Sequence, residues 1–144
     1  MDRNLFPQKL ESLRRGVQRI QTSSPLTVEA LALDLDAQDI VTLNLTRAVQ
    51  LAVDIGTHIV VKVEGAAPTT MGGTFDLLGN AGVISVDLAA RLRKAVGFRN
   101  IAVHNYVAIS WEIVFSILNE RLSAFKNFAQ AVDHWLSQQP LDSR

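Results

Sequence analysis

The sequence predicts an all-α protein, a bundle of four to five helices joined by short links. Three observations carry this. Apolar residues recur at steps of three and four in several long stretches. Gly-, Pro- and Ser-containing segments punctuate those stretches. Nothing in the chain shows sustained strand alternation, and no repeat or low-complexity tract is visible.

The first helix is expected from about Gln8 to Thr22, where Leu10, Leu13, Val17 and Ile20 form one face. Ser23-Ser24-Pro25 ends it, and a short helical turn fits Val28–Leu33. A long helix is expected from about Asp36 to Val63, with Asp34 and Asp36 suited to its positive N-terminus. Gly65 stops it. The stretch Gly65–Gly73, with Pro68, Gly72 and Gly73, reads as a loop. A short helix around Phe75–Leu78 follows, closed by Gly79-Asn80-Ala81-Gly82. A fourth principal helix is expected from Ser85 to about His104, although Gly97 inside it costs about 1 kcal/mol against Ala. The last runs from about Ser110 to Ser137.

Composition narrows the function. A chain of 144 residues, 48% hydrophobic, suits one domain with a proper core. The formal net charge is zero, so any nucleic-acid site must be a local patch. The chain has no cysteine, which excludes disulfides, thiolate metal sites and a cysteine nucleophile. The opening Met1-Asp2-Arg3-Asn4-Leu5-Phe6-Pro7 has charges where a signal peptide needs an apolar run. No stretch approaches the roughly 18–20 apolar residues of a membrane span. A soluble, cytoplasmic protein is expected.

The helix ending near His104 carries the most informative pattern. Projected at about 100° per residue, Leu88, Ala89, Leu92, Val96 and Val103 share a face, and Arg99 falls in its middle. Such an arginine requires a partner or an anion. A snorkelling side chain, a structural ion pair and an anion site all satisfy that demand. Asn100 and His104, four apart, are neighbours on the flank of the stripe. Histidine is the side chain that exchanges protons near neutral pH. Phe98 and Ile101 lie on the other side, and apolar residues on both sides imply burial on both, as at a subunit interface.

On the long helix, Arg47, Gln50, Asp54, Thr57 and His58 line one polar face. It reads either as a solvated face or as a pocket wall, with Asp54 orienting Arg99 or His104. The basic run Arg91, Arg93, Lys94 and Arg99 suits solvated surface or RNA phosphates.

The segment Arg99-Asn100-Ile101-Ala102-Val103-His104-Asn105-Tyr106 resembles the HepT signature of the HEPN superfamily: Arg, four residues, His, one residue, Tyr. Asn44-Leu45-Thr46-Arg47-Ala48-Val49 and Asp54-Ile55-Gly56-Thr57-His58 resemble the second-helix pattern of the same family. Phe75-Asp76-Leu77-Leu78 and Ile84 follow in the expected order. Gln50 stands where many relatives carry an acid, a departure that weakens any catalytic acid on that helix.

The resemblance implies a single HepT-like domain over 1–144 and a homodimer whose two motifs meet in a cleft. It implies a metal-independent endoribonuclease, without cofactor, as the toxin of a toxin–antitoxin pair. The implied partners are RNA and an MntA-like nucleotidyltransferase antitoxin, which transfers AMP from ATP to the motif tyrosine, here Tyr106. Arg99 and His104 then become the catalytic pair, Asn100 their support, and Asp54, Gln50 and Arg47 the surrounding pocket. If the helix persisted to Tyr106, an AMP phosphate there would sit near Arg99. A non-catalytic interaction protein bearing Tyr106, or a nucleotide-binding helical domain, is the alternative.

Overall fold

The computed structural model describes residues 5–120 and 122–139. Residues 1–4, part of the opening run read above, lie outside the described residues. The described elements are α1 (Leu5–Ser23), α2 (Val28–Leu33), α3 (Leu35–Glu64), α4 (Met71–Asn80), α5 (Val86–His104), a 3-10 turn (Tyr106–Ala108), α6 (Trp111–Glu120) and α7 (Leu122–Ser137). The expected last helix is thus described as two stretches, on either side of residue 121. No described helix is long and apolar enough to cross a membrane.

Local chemistry sets most helix ends. The Asp34 carboxylate accepts from the Ala37 N–H at 3.0 Å and starts α3. Thr27 caps α2 and Ser85 caps α5 in the same way. Gly65, at φ 79°, closes α3 in the left-handed conformation that glycine adopts without strain. The loop expected through Gly73 is shorter than the sequence suggests. Thr70 Oγ1 accepts from the Gly73 N–H at 2.9 Å, so α4 begins at Met71 and takes both glycines into its first turn. A strong cap outweighs the poor helix propensity of the pair.

The 30-residue α3 is the axis of the bundle. α1 packs along it, α4 and α5 pack on each other and on α3, and α7 covers α1 and α5. One continuous core results, in which Leu13, Ile20, Leu45, Ile55, Ile59, Phe75, Leu78, Leu92, Phe125 and Phe128 are almost completely buried. Phe75 and Phe128 meet edge to face at 5.9 Å. Short α2 is tied to α3 by the buried Gln38, whose amide donates to the Leu31 and Ala32 carbonyls.

Surface pairs brace the same contacts. Arg93 bonds Asp76 across α5 and α4, and Arg14 bonds Asp133 across α1 and α7. Arg91 donates to Ser123 Oγ at 2.9 Å. Two members of the basic run are therefore engaged in bracing the bundle.

A candidate ribonuclease site on the α3–α5 face

Arg99 lies near the end of α5, half-buried against α3. Its Nη1 donates to Asn100 Oδ1 at 3.2 Å and its Nη2 to Gln50 Oε1 at 3.4 Å. Both acceptors are neutral amide oxygens. Among the described residues no carboxylate pairs with this guanidinium. The fork is oriented but its charge is not neutralised, which is what an anion site requires.

Gln50 in turn is oriented from behind. Its Nε2 donates to Asp54 Oδ1 at 2.9 Å, one turn further along α3. Asp54 can only accept, so it selects the amide orientation that turns Oε1 toward Arg99. Lys9 Nζ on α1 reaches the other Asp54 oxygen at 3.2 Å. The chain Lys9–Asp54–Gln50–Arg99–Asn100 thus links three helices. Asp54 acts on Arg99 through Gln50, and the glutamine that replaces the expected acid leaves the arginine its charge. Arg47 stands exposed in a groove between α1 and α3, with Ser12, Arg15, Arg19 and Asn44.

His104 is the exposed last residue of α5. A step of five residues turns a helix by about 140°, so His104 is turned well away from Arg99 around α5. Val103, Val107 and Ile113 are exposed around this end, Val107 almost fully at 95%. Beside them Phe98, Ile101, Ile109, Ile113 and Ile117 line a groove of about 450 Å3.

α5 ends at His104, as expected, so the condition that would set Tyr106 on its continuation is not met. Asn105 leaves the helical region at φ −152°, ψ 71° and caps α5, and Tyr106 opens the 3-10 turn. No Gly or Pro is needed for this break. Asn is a weak helix former and a common terminator, and the turn gives Tyr106 two tertiary partners. Its hydroxyl donates to Asp39 Oδ1 on α3 at 3.1 Å, and its ring meets Trp111 edge-on at 6.3 Å. Burial and the Asp39 carboxylate hold the Tyr106 phenol above its ordinary pKa, with Thr42 opposing them.

Asp39 and Gln50 are eleven residues apart, about three turns and about 16 Å along one face of α3. Tyr106 and Arg99 therefore contact α3 about three turns apart, the one at Asp39 and the other at Gln50. Sequence reading passed over Asp39, Lys9 and Trp111. The three-turn spacing of Asp39 and Gln50 was the available signal for the first.

The structure is thus an all-α bundle with Arg99 and His104 near one end of α5. The sequence profile of the family described as ribonuclease HepT-like matches residues 13–132, and the chain belongs to that family. It is 32% identical over 129 residues to the mRNA nuclease HepT of Shewanella oneidensis, covering 90% of this chain and 96% of that one. It is 23% identical over 132 residues to the tRNA nuclease HepT of Aphanizomenon flos-aquae, covering 92% and 90%. Its fold matches the tri-AMPylated HEPN toxin of S. oneidensis, solved in complex with an MNT antitoxin. There the TM-score is 0.84 at 30% identity, over 93% of this chain and 99% of that one.

Proposed function

We propose that this chain is the toxin of a toxin–antitoxin pair, a metal-independent endoribonuclease built from one domain over residues 1–144. RNA supplies its own nucleophile, the ribose 2′-OH. His104 takes the proton from that hydroxyl. Arg99 binds the phosphate through its fork and stabilises the added negative charge of the phosphorane. Asn100 and Gln50 hold the fork, and Asp54 with Lys9 holds Gln50. A homodimer brings a second His104 to protonate the leaving 5′-oxygen. The roughly 140° between Arg99 and His104 on one helix favours a cleft completed by a second copy. An MntA-like nucleotidyltransferase is the antitoxin, with Tyr106 as the acceptor of AMP, and the pair works in the cytoplasm. An AMP group on Tyr106 adds negative charge to this face and repels RNA.

The observation that carries this reading is the oriented, uncompensated Arg99 in a chain of the ribonuclease HepT-like family. Arg99→Ala and His104→Ala are expected to lower RNA cleavage in EDTA by at least about 100-fold each, the usual scale of lost general-base or oxyanion assistance. Circular dichroism should show the helical fold intact. Full cleavage by either folded variant rejects the assignment.

A further inference from the structure

The acceptor tyrosine is held by a group that the ribonuclease reaction does not use. Asp39 stands in the second turn of α3, three turns from the Arg99 contact, and its Oδ1 lies 3.1 Å from the Tyr106 hydroxyl oxygen. The Tyr106 ring also meets Trp111 edge-on at 6.3 Å. Tyr106 is 44% exposed, so the residue is open to a docked enzyme while one hydrogen bond of its hydroxyl is already committed.

A neutral phenol is a poor nucleophile, and burial with the adjacent carboxylate keeps this one neutral well above physiological pH. Transfer of a nucleotide to it needs a base placed at the proton. Asp39 is within hydrogen-bond reach of that proton, the geometric requirement for such a base.

We infer that Asp39 is the general base for modification of Tyr106, a catalytic residue that the toxin itself supplies to its antitoxin. The inference rests on Tyr106 being the AMP acceptor. In the step, the Tyr106 oxygen attacks the α-phosphorus of a nucleoside triphosphate held by the nucleotidyltransferase, and an O–P bond forms. The bond from that phosphorus to the bridging oxygen breaks, and pyrophosphate leaves with the electron pair. The phenolic proton passes to Asp39 Oδ1. The acceptor chain thus carries half of the proton chemistry of its own silencing. Without Asp39 the tyrosine would still be reachable but slow to react.

The test uses the full chain, its nucleotidyltransferase partner and ATP, with AMP incorporation followed by intact-mass spectrometry at saturating ATP and partner. Asp39→Asn is expected to lower the maximal rate of transfer by about 100-fold. The apparent KM for the toxin should be little changed, and Asp39→Glu should recover much of the rate. Circular dichroism and the thermal transition should report an unchanged fold for both variants. Equal maximal rates in Asp39→Asn and wild type overturn the inference while leaving the acceptor reading standing. A defect confined to the apparent KM also overturns it, because Asp39 would then be a docking contact. Tyr106→Phe tests the acceptor reading separately: AMP added to that variant as fast as to wild type removes Tyr106, and with it the role of Asp39.

Discussion

The hydrogen bond between Tyr106 and Asp39 spans 67 positions of sequence and decides how both residues behave. The fold raises the phenol pKa by burial first and by the carboxylate second. The fold therefore favours the neutral form, and the sign of its linkage follows. Its stabilising contribution is complete below the ordinary tyrosine pKa of about 10 and is lost as pH rises through the higher folded value. The chain has one tyrosine, so tyrosinate absorbance reads this residue alone. The transition is expected above pH 10 in the wild type. In Asp39→Asn it should move down toward the ordinary value while the protein remains folded. A titration at the ordinary pKa in both proteins would show that Asp39 does not act on the phenol in solution. Arg99, which meets α3 about three turns further on, shows the opposite logic. Neutral oxygens from Gln50 and Asn100 fix its direction without cancelling its charge.

At the scale of helices, two glycines with the same intrinsic penalty have opposite roles. Gly56 is buried where α3 meets α4, and a Cβ there would lie 2.8 Å from Thr74 Cγ2 and 3.0 Å from Leu78 Cδ1. Both neighbours are themselves completely buried. Gly97 is exposed in α5 with nothing within 4 Å of its missing Cβ. Gly97→Ala is thus expected to stabilise the fold by about 1 kcal/mol, the helix-propensity difference. Gly56→Ala should destabilise it by roughly 1–2 kcal/mol, overpacking outweighing the same gain. Urea unfolding of the two variants checks the pair, and a common sign would refute the packing argument.

The sequence contrast between these glycines is slight, because each sits in a periodic helical run. That is the general limit of what could be read. Long amphipathic stretches disclosed α1, α3 and α5 nearly to their ends, since periodicity and capping residues are local signals. The resemblance around Arg99, His104 and Tyr106 pointed to the candidate site. The pairing of Tyr106 with Asp39 and the reach of Arg99 to Gln50 join residues 67 and 49 positions apart. No local pattern encodes them.

For the whole molecule, the question is what covers the end of α5. Ile101, Val103, Val107 and Ile113 are each at least 44% exposed and gather beside the groove below Phe98. A cluster of exposed aliphatic side chains on a protein of zero net charge favours association. On the proposed mechanism a second copy is the occupant that would also complete the chemistry, because it would deliver another His104 to a phosphate held by Arg99. A two-fold axis near His104 would place the two histidines about the same cleft, each patch covering its equivalent. Light scattering at tens of micromolar should give twice the 15.8 kDa of one chain. Val107→Asp places a charge in the centre of the patch, where desolvating it opposes association. That variant is expected to be a folded monomer and to lose most of its RNA cleavage, although Arg99 and His104 are untouched. Mixing Arg99→Ala with His104→Ala chains gives a further check, because a composite dimer holds one intact arginine and one intact histidine on different subunits. Partial recovery of cleavage in the mixture is expected if the cleft is shared between copies. A fully active monomer, wild type or Val107→Asp, would show that one chain contains the entire active site and would refute the shared cleft.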